Sequence, residues 1–480
     1  MNYLVIISSI GFVMCIEAIC MLPAVIVSLI YGGGDLLPML YSMGITLAFG
    51  LALRLIRVSH NDIHAREGFA IVSVSWLLVG IFGALPFLFG GIFENPLDAI
   101  FEAVSSFSTT SASLIPSLEA LPRGILFWRS FMHWMGGMGV LVLMLAIMPS
   151  VKANTLYIMK AESPGPSVDK FVPKVGQVAK ILYTIYLALT LIEALVLFLC
   201  GMSVFDALIH AFGTASTGGC SSMDSSVGAF GSAAIEMVIA IFMLIFGINF
   251  TLHHAALKGN FRAMLRDEEL RTYLIIVAIS TIFVAINMHL NVYQGMGASF
   301  RHSFFQTTSF VTTTGYTTAN FANWPVFSQC IMLFLMFVGA CAGSTSGGFK
   351  CLRFLLLLKS GKRVVQKNIH PHSVHVVKVN GKAVSEEILS SVTLFFFAYI
   401  AIIFVAMTIV ALDNKDLPTT LTAVLSSISN VGPGMGEVGA SANYSGFSML
   451  SKATLAICMM VGRLEIYPVL LLAAPSFWKR

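Results

Sequence analysis

Thr312-Thr313-Thr314-Gly315-Tyr316-Thr317 stands between the short apolar segment 299–310 and a long hydrophobic run that begins near Trp324. Hydroxyl residues flanking a glycine, between a half-length helix and a spanning one, suit a re-entrant pore loop. In such a loop successive main-chain carbonyls face one axis and replace the water around a cation. A single Thr-rich turn is weak support, but the plan recurs. Thr109-Thr110-Ser111-Ala112, Ser216-Thr217-Gly218-Gly219 and Asn430-Val431-Gly432-Pro433 take places corresponding to Thr313-Thr314-Gly315-Tyr316. With Ser111, Gly218, Gly315 and Gly432 as equivalents, the spacings are 107, 97 and 117 residues. Four such loops in one chain can surround one axis.

Composition places those loops in a membrane. The 480 residues are 57% hydrophobic and 11% charged, against about 25% charged in a globular protein. Apolar runs near the roughly 20 residues needed to cross a bilayer recur throughout. The excess charge of +5 lies between the apolar runs rather than on a soluble domain, so it reads as a topology signal and not as a nucleic-acid surface. Eight scattered cysteines without a Cys-x-x-Cys pair indicate neither a disulfide framework nor a zinc site. The first apolar segment, about 3–31, lacks a basic leader and a clear cleavage site, and reads as a retained helix.

Around the loops the chain divides into an N-terminal two-helix extension (1–66) and four pore repeats. These occupy 67–149, 150–258 with its linker, 259–359, and 360–480 with a basic linker. Each repeat reads as a spanning helix, a short helix of about ten residues, the polar loop and a second spanning helix, giving ten crossings. Asp98, Asp206 and Thr419, each 12 or 13 residues before its central loop position, are N-cap types and are expected to start three of the short helices. The far end of such a helix carries partial negative charge that favours a cation. Ordinary capping of interfacial helices is the alternative. Segment 350–382 carries eight Lys or Arg and no acid, whereas 91–120 holds Glu94, Asp98, Glu102 and Glu119. The positive-inside rule then puts the linkers and both termini in the cytoplasm and the loops outside. All four repeats enter alike, as parallel repeats about a membrane-normal axis.

The chemistry sits on the main chain. Glycine admits backbone angles that other residues avoid, and carbonyl dipoles suit a weakly hydrated alkali cation, whereas a divalent ion would want a carboxylate ring. Ser111 departs from the glycine pattern, with a side chain able to narrow or reshape the ring. In the last helix of the third repeat, Gly339-Ala340-Cys341-Ala342-Gly343-Ser344-Thr345-Ser346-Gly347-Gly348 cannot continue a lipid-facing helix. It reads as an intramembrane gate, with a small-residue packing face as the alternative. Arg463, in Met460-Val461-Gly462-Arg463-Leu464-Glu465, is an ionisable residue at membrane depth. It either projects into the cavity and repels permeant cations or pairs with an acid such as Glu193 or Glu236; Glu465, two residues on, points to another face.

Together with Phe127-Trp128-Arg129-Ser130-Phe131-Met132-His133-Trp134-Met135-Gly136-Gly137-Met138-Gly139 and Ala161-Glu162-Ser163-Pro164-Gly165-Pro166, these features resemble the TrkH branch of the Trk/Ktr/HKT potassium transporters. The resemblance covers nearly the whole chain, including the N-terminal helix pair that KtrB-type members lack. It implies an all-α membrane fold with four parallel helix–pore loop–helix repeats around a pseudo-fourfold pore. It further implies a homodimer in a prokaryotic plasma membrane, gated by a cytoplasmic nucleotide-binding ring of the TrkA type. Gly432-Pro433-Gly434-Met435-Gly436 lies in a pore loop and not after a strand, so any nucleotide would bind a separate subunit and this chain carries no cofactor beyond the permeant K⁺. The expected function is potassium uptake driven by the membrane potential. K⁺/H⁺ or K⁺/Na⁺ symport remains open, and so does sodium permeability, because related HKT transporters with serine at the filter tend to pass sodium. An organic-solute carrier fits the parallel repeats poorly, and an intramembrane enzyme lacks a nucleophile or metal constellation.

Overall fold

A computed structural model describes residues 1–56, 65–139, 175–373, 375–440 and 442–478. The Ala161–Pro166 motif and most of the linker before the second repeat lie outside the described residues. The N-terminal extension is α1 (Tyr3–Cys20) continued by α2 (Leu22–Tyr31), then α3 (Leu36–Arg54) after a glycine turn. α1 and α3 meet at Gly11 and Gly50, where a Cβ on either would come within 2.9 Å of the other helix's backbone. Small residues permit that approach where lipid supplies no hydrophobic drive.

The first repeat is α4 (Ala65–Gly83), α5 (Leu85–Phe89), α6 (Pro96–Phe107) and α7 (Arg123–Met138). The second is α8 (Val175–Leu199), α9 (Val204–Ala215) and α10 (Ala233–Phe246), followed by α11 (Phe250–Leu257) and α12 (Phe261–Arg266). The third is α13 (Glu268–Asn291), α14 (Met296–Val311), α15 (Val326–Val338) and α16 (Cys351–Ile369). A two-stranded hairpin, β1 (Lys378–Val379) and β2 (Lys382–Ala383), precedes the fourth repeat. That repeat comprises α17 (Glu386–Val410), α18 (Leu417–Ser429), α19 (Met449–Arg463) and α20 (Tyr467–Ala473). The hairpin turns on Asn380-Gly381, both with positive φ, which is the two-residue turn that Asn-Gly favours. It is a small addition to a helical fold.

Among the described residues six segments are long and apolar enough to cross a membrane: Tyr3–Tyr31, α3, and the first helix of each repeat. The remaining expected crossings are not continuous helices. The second helices α7, α10, α15 and α19 have only 16, 14, 13 and 15 residues, and each stops where the backbone turns. Gly139 and Gly339 have φ of 79° and 71°, Glu465 and Ile466 follow α19 with φ of 59° and 64°, and α10 bends 95° into α11 after Gly247. A left-handed residue ends the hydrogen-bond ladder of a helix, and open main chain at this depth is tolerated because protein surrounds it. The interruption foreseen in the third repeat therefore has a counterpart in each of the others.

The short helices α6, α9, α14 and α18 have 12, 12, 16 and 13 residues. Asp98, Asp206 and Thr419 do not start them. The caps are Asn95, Ser203 and Asp416, three residues earlier. Asn95 accepts from Leu97 N, and Ser203 and Asp206 bond reciprocally, Ser203 Oγ to Asp206 Oδ2 at 2.6 Å and Asp206 N to Ser203 Oγ at 3.1 Å. The acids thus sit in the first turn, where they still complement the helix dipole. The remaining short helix, α14, follows Gly295, which offers no side-chain cap.

Candidate permeation site and gate

All four short helices end at irregular stretches with one backbone signature. Thr109, Thr217, Thr313 and Asn430 have φ of 58°, 52°, 57° and 56°, and two residues on, Ser111, Gly219, Gly315 and Gly432 have 62°, 62°, 83° and 100°. The amide between each pair donates back into its helix: Thr110 to Ser105 O, Gly218 to Gly213 O, Thr314 to Ser309 O and Val431 to Ser426 O, at 2.8–2.9 Å. The register of the second repeat therefore shifts by one. Gly219, not Gly218, is the equivalent of Gly315, and the spacings become 108, 96 and 117. Ser216 belongs to the helix end, its hydroxyl donating to Phe212 O at 2.8 Å, and Cys220 takes the fourth place, alongside Ala112, Tyr316 and Pro433. Two adjacent glycines hid this, because residue type alone does not reveal which one turns left-handed.

The loops interlock in chain order. A Cβ on Gly219 would lie 2.1 Å from Thr314 O, one on Gly315 2.0 Å from Val431 O, and one on Gly432 2.3 Å from Thr110 O. The position of a Cβ on Gly218 is 3.2 Å from Thr109 Cβ, which brings the second loop against the first and closes the ring. Glycine is required at three places both by positive φ and by a neighbour's carbonyl. Side chains tie the ring further. Asn430 Nδ2 donates to Thr110 Oγ1 at 2.9 Å, and the Tyr316 hydroxyl donates to His210 O and Cys220 O at 3.1 and 2.8 Å. Not every carbonyl faces inward: Gly432 O accepts from Ser426 Oγ and Tyr444 Oη, and Tyr316 O from Ser309 Oγ, all at 2.7 Å. Ser111, Gly219, Gly315 and Gly432 line one cleft of about 100 Å³.

Loop 339–350 lies against this ring. Gly347 N donates to Thr313 Oγ1 at 2.7 Å, and a Cβ on Gly347 would come 2.3 Å from Ser429 O. Gly339, Gly343 and Gly348 all have positive φ near 70–80°. Ser344, Thr345 and Ser346 are buried, with the Ser344 and Ser346 hydroxyls 2.8 Å apart. The break of the second repeat grips the loop through Cys341 N to Gly247 O and Phe250 N to Gly343 O, both 3.1 Å. Arg463 reaches it from α19, donating to Thr345 O at 2.7 Å and to Gly136 O and Gly137 O at 2.6 and 2.5 Å. These partners are main-chain carbonyls and not the acids considered from sequence. Glu236 pairs with Arg301 at 3.0 Å, and Glu465, expected to point away from Arg463, meets Arg353 at 2.5 Å.

A model of the TrkH family of cation transport proteins matches residues 39–480. The chain belongs to the TrkH family. It is 36% identical to the Trk system potassium uptake protein TrkH of Vibrio parahaemolyticus over the full length of both. It is 38% identical to TrkH of Escherichia coli, with 88% of each chain covered, and 33% identical to TrkG of the same organism, with 98% and 97% covered. The crystal structure of the potassium transporter TrkH from V. parahaemolyticus superposes with a TM-score of 0.90 over 100% of both chains at 34% identity.

In this TrkH-family chain sequence reasoning passed over a buried ion pair behind the first loop. Glu102 is fully buried and accepts from Arg129 Nε at 2.7 Å, from Ser113 Oγ at 3.0 Å and from Leu114 N at 2.9 Å. Read from sequence, Glu102 was one of the acids marking the outer side; folded, it fastens the exit of the first loop to α7. Arg129 Nη1 also donates to Cys220 Sγ at 3.0 Å, which reaches the second loop. Arginine inside the Phe127–Gly139 motif was the available signal, since a buried guanidinium needs an acid.

Proposed function

We propose that this chain takes up potassium through the ring of four loops, with loop 339–350 and Arg463 as the gate beneath it. The observation that carries the reading is the interlock, in which Gly219, Gly315 and Gly432 each sit against a carbonyl of the next loop. Such packing fixes main-chain oxygens around one axis, the ligand type that replaces an alkali cation's water. The filter residues are Thr109–Ala112, Thr217–Cys220, Thr313–Tyr316 and Asn430–Pro433. Arg463 adds a fixed positive charge below them and holds the gate loop to the end of α7. The protein works in a prokaryotic plasma membrane with both termini in the cytoplasm, as a homodimer under a nucleotide-binding regulatory ring of the TrkA type that the basic residues of 359–382 receive. Purified protein in liposomes, compared in potassium, rubidium and sodium, tests the reading, and reversal potentials that follow potassium alone separate a channel from symport. Arg463→Ala is expected to raise potassium flux. Flux unchanged in a folded variant would remove Arg463 from the gate.

A further inference from the structure

The first turn of α13 is held on two sides. Asp267 and Glu268 face the cytoplasmic hairpin: Asn380 Nδ2 donates to Asp267 Oδ2 at 2.7 Å, Asn380 N to Glu268 Oε1 at 3.1 Å, and Glu268 N to Asn380 Oδ1 at 2.8 Å. Lys359 bridges Glu268 and Lys378 O, adding α16 to the same knot. Glu269, next in the chain, turns inward and is buried. Its Oε1 accepts from Ala342 N at 2.6 Å and from Leu352 N at 3.1 Å. Ala342 lies in the loop and Leu352 in the first turn of α16 just after it, so one oxygen ties the loop and the helix that follows it to the start of α13.

We propose that Glu269 is a positioning residue that latches the intramembrane loop across the pore, and that Asp267–Glu269 couples the cytoplasmic hairpin to that latch. The proposal rests on reading the loop as the gate. The cap residue Asp267 and the first two residues of a 24-residue helix move as one unit, so displacing the hairpin strains the two bonds to Glu269 directly. Two arrangements of the loop, with and without those bonds, supply the bistable element that a regulator biases. A cytoplasmic partner then needs to move only the Asn380 turn to favour the open arrangement.

Cys341 tests this. It is fully buried in the loop, so a variant keeping it alone among the eight cysteines reports loop release by its rate of reaction with a cytoplasmic maleimide. In full-length protein in liposomes, Glu269→Ala is expected to speed Cys341 labelling and raise potassium flux, each roughly tenfold, in the range of common coupling energies. Glu269→Gln keeps an acceptor oxygen but loses the charge that strengthens both bonds, so it is expected to give a smaller rise in both readouts; it carries the test if the alanine variant does not fold. Asn380→Gly, which preserves the left-handed turn, is expected to move both readouts in the same direction by less. Parent-level labelling in both Glu269 variants would overturn the latch whatever the flux. Faster labelling at parent flux would instead overturn the loop as gate. A response to Glu269→Ala without one to Asn380→Gly would overturn the coupling to the hairpin.

Discussion

At Ser111 the backbone holds φ of 62°, a conformation that costs a residue with a Cβ roughly 1 kcal/mol. The other three loops place glycine there and use the missing Cβ to admit a neighbour's carbonyl. Ser111 keeps both the strain and the hydroxymethyl group, so one quadrant differs from three. Selectivity depends on the number and field of the oxygens around the ion, and a tenfold change in relative permeability requires only about 1.4 kcal/mol. Ser111→Gly is expected to raise potassium selectivity over sodium and to raise thermal stability slightly. Bi-ionic reversal potentials and thermal unfolding measure the two, and identical permeability ratios would show that the serine does not tune selectivity. The hydroxyl was legible in the sequence; its left-handed backbone was not.

At the level of elements, the second helices are short because each must stop beside the ring. In the fourth repeat the last turn of α19 packs directly on a short helix. A Cβ on Gly462 would fall 2.0 Å from Ile428 O, at the end of the short helix α18; Gly136 meets Phe107 O at 1.9 Å in the same way in the first repeat. Alanine at 462 would gain about 1 kcal/mol of helix propensity but overpack a rigid carbonyl, at about 1–3 kcal/mol or more. Gly462→Ala is therefore expected to destabilise the protein despite the better helix former, as a lowered midpoint in detergent melts. An unchanged or raised midpoint would mean that α18 yields at little cost. Glycine before Arg463 is visible in the sequence, but its partner lies 34 residues away in the chain and belongs to another element.

For the whole molecule the ring is as strong as its seams. Each joins two repeats, and the seam between the third and fourth depends on Gly315, whose Cβ position is 2.0 Å from Val431 O and 2.8 Å from Pro433 Cδ. Gly315→Ala adds a left-handed alanine to that clash and is expected to abolish potassium flux and lower thermal stability together, since one displaced loop loosens both its neighbours. Parent-like flux in liposomes would mean that the seams do not hold the filter. Ties elsewhere, such as the buried pair of Arg129 with Glu102 and the half-buried pair of Lys452 with Asp98 at 2.8 Å, limit how far the helices can follow such a shift.

Apolar run length, the fourfold recurrence of a Thr/Ser/Gly loop after a short helix, and the distribution of basic residues were enough to determine a membrane protein with four pore repeats. Each of those signals is local or periodic along the chain. Only the tertiary structure decided which of Gly218 and Gly219 takes the place of Gly315, since that rests on φ and on a carbonyl of another repeat. It also decided that Glu102 is a buried anchor, that Arg463 reaches main-chain carbonyls of α7 and of loop 339–350, and that Glu269 reaches that same loop. All of these join residues far apart in sequence, and a side chain's partner across a helix bundle is set by packing geometry that no single segment contains.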